Sequence, residues 1–159
     1  MARTILIAAA AAAVLALSPA AFAQQPEKVA SGAEAKEMLQ NAVAAVALDD
    51  QKAFDMFNKG EGGFLYRDSY VFCTNVGDGK FVAEGNPNAK TLLGQDVRTL
   101  KDAAGKAFGQ EIYDAGQKPE GEITEVDYLF AKPTDPKPVA KATFVTRVGA
   151  VACGVGYYK

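Results

Sequence analysis

The apolar residues after position 30 recur at helical spacing. From Ala33 to Leu48 they fall three and four positions apart, which is the period of an amphipathic helix. Ser31, with Glu34 three residues later, has the pattern of an N-terminal capping box. Asp49 and Asp50 then interrupt the pattern and predict the start of a second short helix, which ends at a glycine, Gly60. The apolar positions of the first helix are Met38, Leu39, Val43, Val46 and Ala47.

From Ser69 onwards the pattern of apolar residues changes to a period of two, which is typical of β-strands. Ser69–Asn75 is rich in aromatic and β-branched residues, and Lys80–Glu84 follows after the turn Gly77–Gly79, so the two runs predict a β-hairpin. The next stretch, Gly85–Leu100, holds too many turn formers for a strand. Long ordered excursions in compact domains are often binding loops, and we expect one here.

The C-terminal half contains a helical pattern followed by strand-like segments. Helical spacing returns over Ala103–Tyr113, and strand-like residues follow over Glu122–Phe130. The proline-rich turn Lys132–Pro138 predicts a hairpin. Two further strands are predicted over Val139–Val148 and Val151–Tyr158. Helices first and strands afterwards predict an α+β domain with an antiparallel sheet.

The N-terminus has the layout of a cleavable signal peptide. Arg3 precedes an apolar run from Ile5 to Leu17, and small residues around Ala21 and Ala23 follow. The run is shorter than the roughly 20 residues that span a bilayer. We therefore expect a signal peptide at residues 1–23, cleavage after Ala23, and one mature domain over 24–159 that is periplasmic or secreted and keeps no stable membrane span.

The composition argues against several classes of function. The formal net charge is −2 and the lysines are scattered, which argues against nucleic acid as a partner. The chain has no histidine, the commonest general base and a common metal ligand. No paired-carboxylate, nucleophile or metal-ligand pattern is present, so we expect no catalysis, metal or cofactor.

The two cysteines, Cys73 and Cys153, would lie in an oxidising compartment after export. We predict a structural disulfide; two buried free thiols or a reactive site are the alternatives. If the first and last strands are antiparallel neighbours with the cysteines opposed, aromatic rings would cover bare glycines, an arrangement that stabilises glycine in sheets. The predicted pairs are Val71 with Val155, Phe72 with Gly154, and Tyr70 with Gly156.

Several short motifs carry a family resemblance by their order and spacing. They are Tyr70-Val71-Phe72 before a Gly-Asp-Gly turn, Asn86-Pro87, Leu93-Gly94, Leu100-Lys101-Asp102, Gly105-Lys106-Ala107-Phe108, and Arg147-Val148-Gly149 with the ending Gly154 to Tyr158. With these motifs the mature chain resembles the single Cache domain of the sCache 2 type, a PAS-like extracytoplasmic sensor.

This resemblance implies a five-stranded antiparallel sheet with a long N-terminal helix on one face, over about residues 32–59 with a second helix, and the sheet over about 66–159. It implies a small-molecule pocket under loops on the other face, with small organic acids as ligands. Most members lie between membrane helices of chemoreceptors or histidine kinases, so either receptor is an implied partner. The alternative is an accessory protein that docks on a membrane receptor or envelope partner.

Several side chains are candidates for contact with an organic acid. Arg147 lies in a strand-like stretch and can bind a carboxylate bidentately, or it is a solvated or salt-bridged strand-end residue. Tyr70, Tyr128 and Phe72 can line the pocket or pack in the core. Tyrosine hydroxyls need partners when buried, which favours Tyr70 and Tyr128.

Two further candidates belong to the predicted loop. Lys101 lies where the resemblance places the pocket lid, and it either contacts the ligand or pairs with Asp102 to shape the loop. Asn86 either donates to a bound acid or simply forms the turn around Pro87.

Overall fold

The structure is a computed structural model that describes residues 29–159. The predicted signal peptide, its cleavage after Ala23 and the predicted domain start at residue 24 lie outside the described residues. Within residues 29–159 none of the helices has the length and apolar character to cross a membrane.

Both predicted N-terminal helices are present. Helix α1 spans Gly32–Leu48, and Ser31 and Glu34 form the predicted capping box through two reciprocal hydrogen bonds. Helix α2 spans Asp50–Lys59, and the Asp49 side chain accepts a hydrogen bond from the Lys52 backbone. It ends at Gly60, whose φ of 69° is the left-handed conformation that glycine adopts readily. The capping residues therefore identify both helices correctly.

The strands form one antiparallel sheet of six members in the spatial order β1-β2-β6-β5-β4, with β3 pairing a further part of β2. The α+β, PAS-like architecture is confirmed, but the sheet has one strand more than expected. The extra strand, β1, has only two residues, too few to produce a periodic pattern. The strands are β1 (Leu65–Tyr66), β2 (Ser69–Asn75), β3 (Phe81–Glu84), β4 (Thr124–Lys132), β5 (Asp135–Val148) and β6 (Val151–Tyr158).

The predicted register between the first long strand and the last is confirmed. Cys73 opposes Cys153 across β2 and β6, and the two are joined by a disulfide between completely buried positions. The Phe72 ring covers Gly154, as expected. Gly156 is covered differently from the expectation, because its nearest neighbours are side-chain atoms of Lys141 and Thr143 rather than the ring of Tyr70.

The third helix begins later than the helical spacing predicts. Helix α3 spans Phe108–Gly116, and the residues before it form a turn. Asp102 Oδ1 accepts hydrogen bonds from the backbone of Ala104 and Lys106, and Gly105 has a φ of 85°. This side chain–backbone turn competes with the first helical turn, which shortens the helix. We refer to Gly85–Ala107, between β3 and α3, as the lid; it contains two short 3-10 helices, Lys90–Leu92 and Val97–Thr99.

The sheet separates two apolar cores because side chains alternate along each strand. Odd-numbered residues of β2 and β6, including both cysteines, pack against α1 and α2. Even-numbered residues of β2, β4 and β6 lie on the opposite face, under the lid and α3. The disulfide therefore lies on the helix side, and any ligand site under the lid lies on the other.

Candidate functional site

A small space lies between the sheet and the lid. Its volume is about 20 Å³, which is room for about one water molecule. The walls are aromatic and aliphatic apart from a single ionisable carboxyl, Glu84. The lining residues are Tyr70, Phe72, Phe81, Glu84, Leu92, Leu100, Phe108, Ile112, Tyr128 and Phe130. An aromatic wall with one placed polar group is typical of a small-molecule site, so we refer to this space as the cavity.

Directly behind the cavity wall lies a buried lysine. Lys141, in β5, is 2% exposed, and its Nζ donates a hydrogen bond of 2.9 Å to the Tyr70 hydroxyl. The amine also lies 4.3 Å from the ring centre of Tyr70 and 5.0 Å from those of Phe130 and Tyr158. Among the described residues no carboxylate lies within 4.0 Å of this amine. A cation without a counter-ion is costly to bury.

The local sequence explains how this lysine comes to be buried. The short turn between β5 and β6 pairs Val148 with Val151, which sets Lys141 opposite Tyr158 seven residue pairs further along. The lysine stem then crosses Gly156, where an added Cβ would overlap Lys141 Cε. A bare glycine in β6 is therefore a condition for the position of the amine.

Two tyrosines line the cavity, and one of them, Tyr70, is hydrogen-bonded to this amine. Tyr70 is buried, and burial is the main cause of a pKa well above the usual value for its hydroxyl; the charge of Glu84 raises it further. The hydroxyls of Tyr128 and Thr143 share a hydrogen bond of 2.8 Å, and the ring of Tyr128 stacks on Phe108 at 4.1 Å. Burial also raises the pKa of the Tyr128 hydroxyl, so both phenols stay protonated and can hydrogen-bond to a ligand.

The carboxyl in the cavity wall is also perturbed. Glu84 ends β3 and is 2% exposed, and burial raises the pKa of this carboxyl to about 7. Its Oε1 accepts a hydrogen bond of 2.8 Å from the Asn86 backbone. Lys90 donates to the backbone carbonyl of Glu84, and the carboxylate itself is not its partner. The carboxyl thus keeps acceptor capacity for a ligand.

Lys141 and Glu84 each favour the charged form of the other, against the effect of burial. Burial lowers the pKa of Lys141 to about 7, while the charges of Glu84 and Asp68 act to raise it. The Lys141 charge in turn lowers the pKa of Glu84, against the larger effect of burial. Perturbed groups of opposite type in an apolar enclosure mark a functional-site candidate. A ligand anion at Lys141 would supply the counter-charge that the empty site lacks.

The lid is fastened to the rest of the fold at both ends. Near its start, the Asn88 side chain donates a hydrogen bond of 2.6 Å to the carbonyl of Pro133, in the turn between β4 and β5. Near its end, Asp102 Oδ2 accepts a hydrogen bond from the backbone of Leu129 in β4. Because the cavity has room for about one water, a larger molecule needs a rearrangement of its walls.

Three predicted site residues lie at the cavity, namely Tyr70, Tyr128 and Phe72. Asn86 lies next to it: its Oδ1 accepts from the Asn88 backbone, so it forms the turn, and its side chain is also a hydrogen-bond partner that lowers the pKa of the Tyr70 hydroxyl.

The other two lie elsewhere. Lys101 is exposed on the lid, and Asp102 hydrogen-bonds to backbone groups instead of pairing with it. Arg147 lies near the opposite end of β5 from Lys141, where its Nε donates to the carbonyl of Gly149. The structure does not bring Arg147 or Lys101 together with the tyrosines, and a ligand role for either stays a prediction.

The sequence interpretation missed Lys141 and Glu84. A lysine and a glutamate are mostly solvent-exposed in proteins, so neither stands out in strand-like segments. One signal was present: Lys141 lies in a strand whose short turn fixes it opposite the aromatic and glycine residues of the last strand. Within residues 29–159 no group of three or more acidic or cysteine side chains could hold a metal ion.

Comparison with known proteins agrees with this geometry. Three solved structures share the fold: a methyl-accepting chemotaxis protein from Vibrio parahaemolyticus RIMD 2210633 (21% identity, TM-score 0.62, 79% of this chain and 86% of that one); a periplasmic sensor domain of a chemotaxis protein (23%, 0.57, 77% and 86%); and a Cache chemosensory domain described for carboxylic acid recognition (20%, 0.58, 77% and 84%). No curated protein matches the chain. The family model for Single Cache domain 2 matches residues 13–156. The chain belongs to the Single Cache domain 2 family.

Proposed function

We propose that this protein binds a small organic acid in the cavity between sheet and lid and acts as a sensory module without catalysis. The observation that carries the proposal is the buried amine of Lys141. Three aromatic rings surround it, one of them the phenol of Tyr70 to which it is hydrogen-bonded, and no carboxylate lies within 4.0 Å among the described residues. A carboxylate is the complementary group, because it supplies both the missing charge and hydrogen-bond acceptors. One structural neighbour, described for carboxylic acid recognition, supports this choice of ligand class.

The ligand sits, in this proposal, with its carboxylate towards Lys141 and the Tyr70 hydroxyl and with its carbon atoms among the aromatic rings. The empty cavity of about 20 Å³ is too small for such a molecule. Binding therefore includes an outward movement of the lid, starting at the Asn88–Pro133 hydrogen bond. In this proposal the movement of the lid is the conformational change that signals ligand binding.

We also propose that the protein is exported and works outside the cytoplasm. A signal peptide over residues 1–23 with cleavage after Ala23 would place the domain in the periplasm or outside the cell, where the Cys73–Cys153 disulfide persists. A domain released in this way needs a receiver, and we propose a membrane chemoreceptor or histidine kinase. N-terminal sequencing of the exported protein tests cleavage: a mature chain that begins at Gln24 is expected, and an intact N-terminus contradicts it.

A thermal-shift screen of small carboxylic acids against the oxidised mature protein tests the binding function. A ligand that binds the native state raises the unfolding midpoint in proportion to its occupancy. Lys141→Met should abolish the shift while Lys137→Met, an exposed position in the same strand, should retain it. No shift with any acid, or an equal shift in both variants, would contradict the proposal.

A further inference from the structure

The cavity wall contains an acidic group that a simple carboxylic acid does not use. Glu84 is the single charged residue among those that line the cavity in the described part of the chain. One carboxyl oxygen accepts from the Asn86 backbone, and no other hydrogen-bond or ion-pair partner of this carboxyl occurs within residues 29–159. The side chain nevertheless is almost wholly withdrawn from water. A second function of the cavity wall is therefore to present an acceptor to the bound molecule.

A plain acid and this carboxyl are poorly matched. If the ligand carboxylate contacts Lys141, the rest of the molecule extends among the rings towards Glu84. A methyl group there would leave the second carboxyl oxygen of Glu84 without a donor, because only Oε1 accepts from the Asn86 backbone. A buried polar group that loses its water without gaining a partner weakens binding. Sites built to hydrogen-bond a substrate group discriminate strongly against analogues that lack the group.

The aromatic rings around Glu84 also suit a cation. Tyr70, Phe72, Phe81 and Tyr128 line the same small cavity, and the faces of such rings attract ammonium groups. An aromatic enclosure with one carboxylate therefore favours a protonated amine. On the other side of the Tyr70 hydroxyl, the amine of Lys141 favours a carboxylate.

We propose that the ligand of this cavity is a small amino acid zwitterion, its carboxylate bound by Lys141 and Tyr70 and its ammonium group by Glu84 within the aromatic wall. This inference rests on the proposed function, since it places the carboxylate at the same lysine. It adds a selectivity: the acid must carry an ammonium group, and Glu84 is the residue that selects it. The binding creates two complementary ion pairs at once, so the empty and the filled cavity have the same net charge.

Isothermal titration of the oxidised mature protein with four matched molecules tests this inference. L-alanine carries both groups, propionate only the carboxylate, ethylamine only the ammonium, and L-lactate a hydroxyl in place of the ammonium. We expect alanine to bind at least tenfold more tightly than propionate or lactate, and ethylamine to bind weakest. The Glu84→Gln variant, which keeps the shape of the side chain, should reduce the ratio of alanine to propionate affinity to within threefold of one.

Each other outcome has a defined meaning. Propionate or lactate binding as tightly as alanine overturns the zwitterion inference and leaves the proposed organic acid function intact. An unchanged affinity ratio in Glu84→Gln also overturns it, because another group would then select the amine. Absence of binding by all four molecules, with no shift in the wider acid screen, overturns both. A far-ultraviolet spectrum and thermal midpoint close to wild type show that Glu84→Gln is folded.

Discussion

The buried lysine leads to a prediction about stability that is opposite in sign to its effect on binding. Burial lowers the pKa of Lys141 from 10.5 to about 7. With about 1.4 kcal/mol per pKa unit, holding this group in the fold near pH 7 costs on the order of 4 kcal/mol relative to the unfolded chain. Methionine has a similar length and no charge, so Lys141→Met removes that cost.

Part of the gain is offset. The variant loses the hydrogen bond to Tyr70, a contribution of about 1 kcal/mol, and the attraction of three aromatic rings, about 1 kcal/mol more at a partly charged amine. We therefore expect Lys141→Met to raise the free energy of unfolding of the empty protein by about 2 kcal/mol, within the range found when buried ions are replaced by apolar groups. The same variant should not bind organic acids.

Urea denaturation followed by circular dichroism at pH 7 and pH 9 measures this gain. Because the folded-state pKa is depressed, the unfolded chain binds the extra proton between about pH 7 and 10.5, so the penalty of the wild type shrinks as pH rises through that window. By pH 9 the penalty falls to about 2 kcal/mol, and the neutral amine no longer has a cation–π attraction to lose, so the gain should fall to about 1 kcal/mol. Lys137→Met, exposed in the same strand, should change stability by less than about 0.5 kcal/mol at both pH values. A destabilised Lys141→Met variant, or a gain that does not depend on pH, would refute the reasoning.

Three further outcomes are expected. The double variant Cys73→Ala/Cys153→Ala should lose about 4 kcal/mol of unfolding free energy in urea, because the disulfide closes a loop with a sequence separation of 80 residues; a loss below about 1 kcal/mol would contradict this. Gly156→Ala should weaken propionate binding at least tenfold by titration calorimetry, since its Cβ would overlap the Lys141 stem; unchanged affinity would show that the amine is not positioned by this glycine. Propionate affinity should fall up to tenfold per unit above pH 7, because Lys141 then loses its proton and Glu84, also with a pKa of about 7, gains a repelling charge; affinity that rises with pH would exclude the assigned roles.

Helix-capping residues and the pairing of the two cysteines predict much of the fold. The capping box at Ser31 depends on residues three positions apart, and the left-handed end of α2 depends on Gly60 alone. The register of β2 on β6 follows from two cysteines that must face each other in an oxidising compartment, with Phe72 over Gly154 as a consistent second contact. Such features need no knowledge of the rest of the molecule.

The ionisable residues of the site depend on packing that no local pattern contains. Lys141 is buried because strands β4 and β6 flank it and because Gly156 leaves room for its stem. Glu84 is buried because the lid returns over the end of β3. Arg147 is a candidate because a guanidinium binds carboxylates, and strand alternation places it on the same face of the sheet as Lys141. Six residues separate it from Lys141, at about 3.3 Å each along the strand, so its side chain does not reach the cavity.

A crystal structure of the oxidised mature protein with the acid that gives the largest thermal shift shows directly where the carboxylate binds. We expect a ligand carboxylate within hydrogen-bond distance of Lys141 Nζ or the Tyr70 hydroxyl, under a lid whose Asn88–Pro133 contact has opened. A ligand bound instead at Arg147, or elsewhere outside the cavity with Lys141 still paired only to Tyr70, would contradict this proposal.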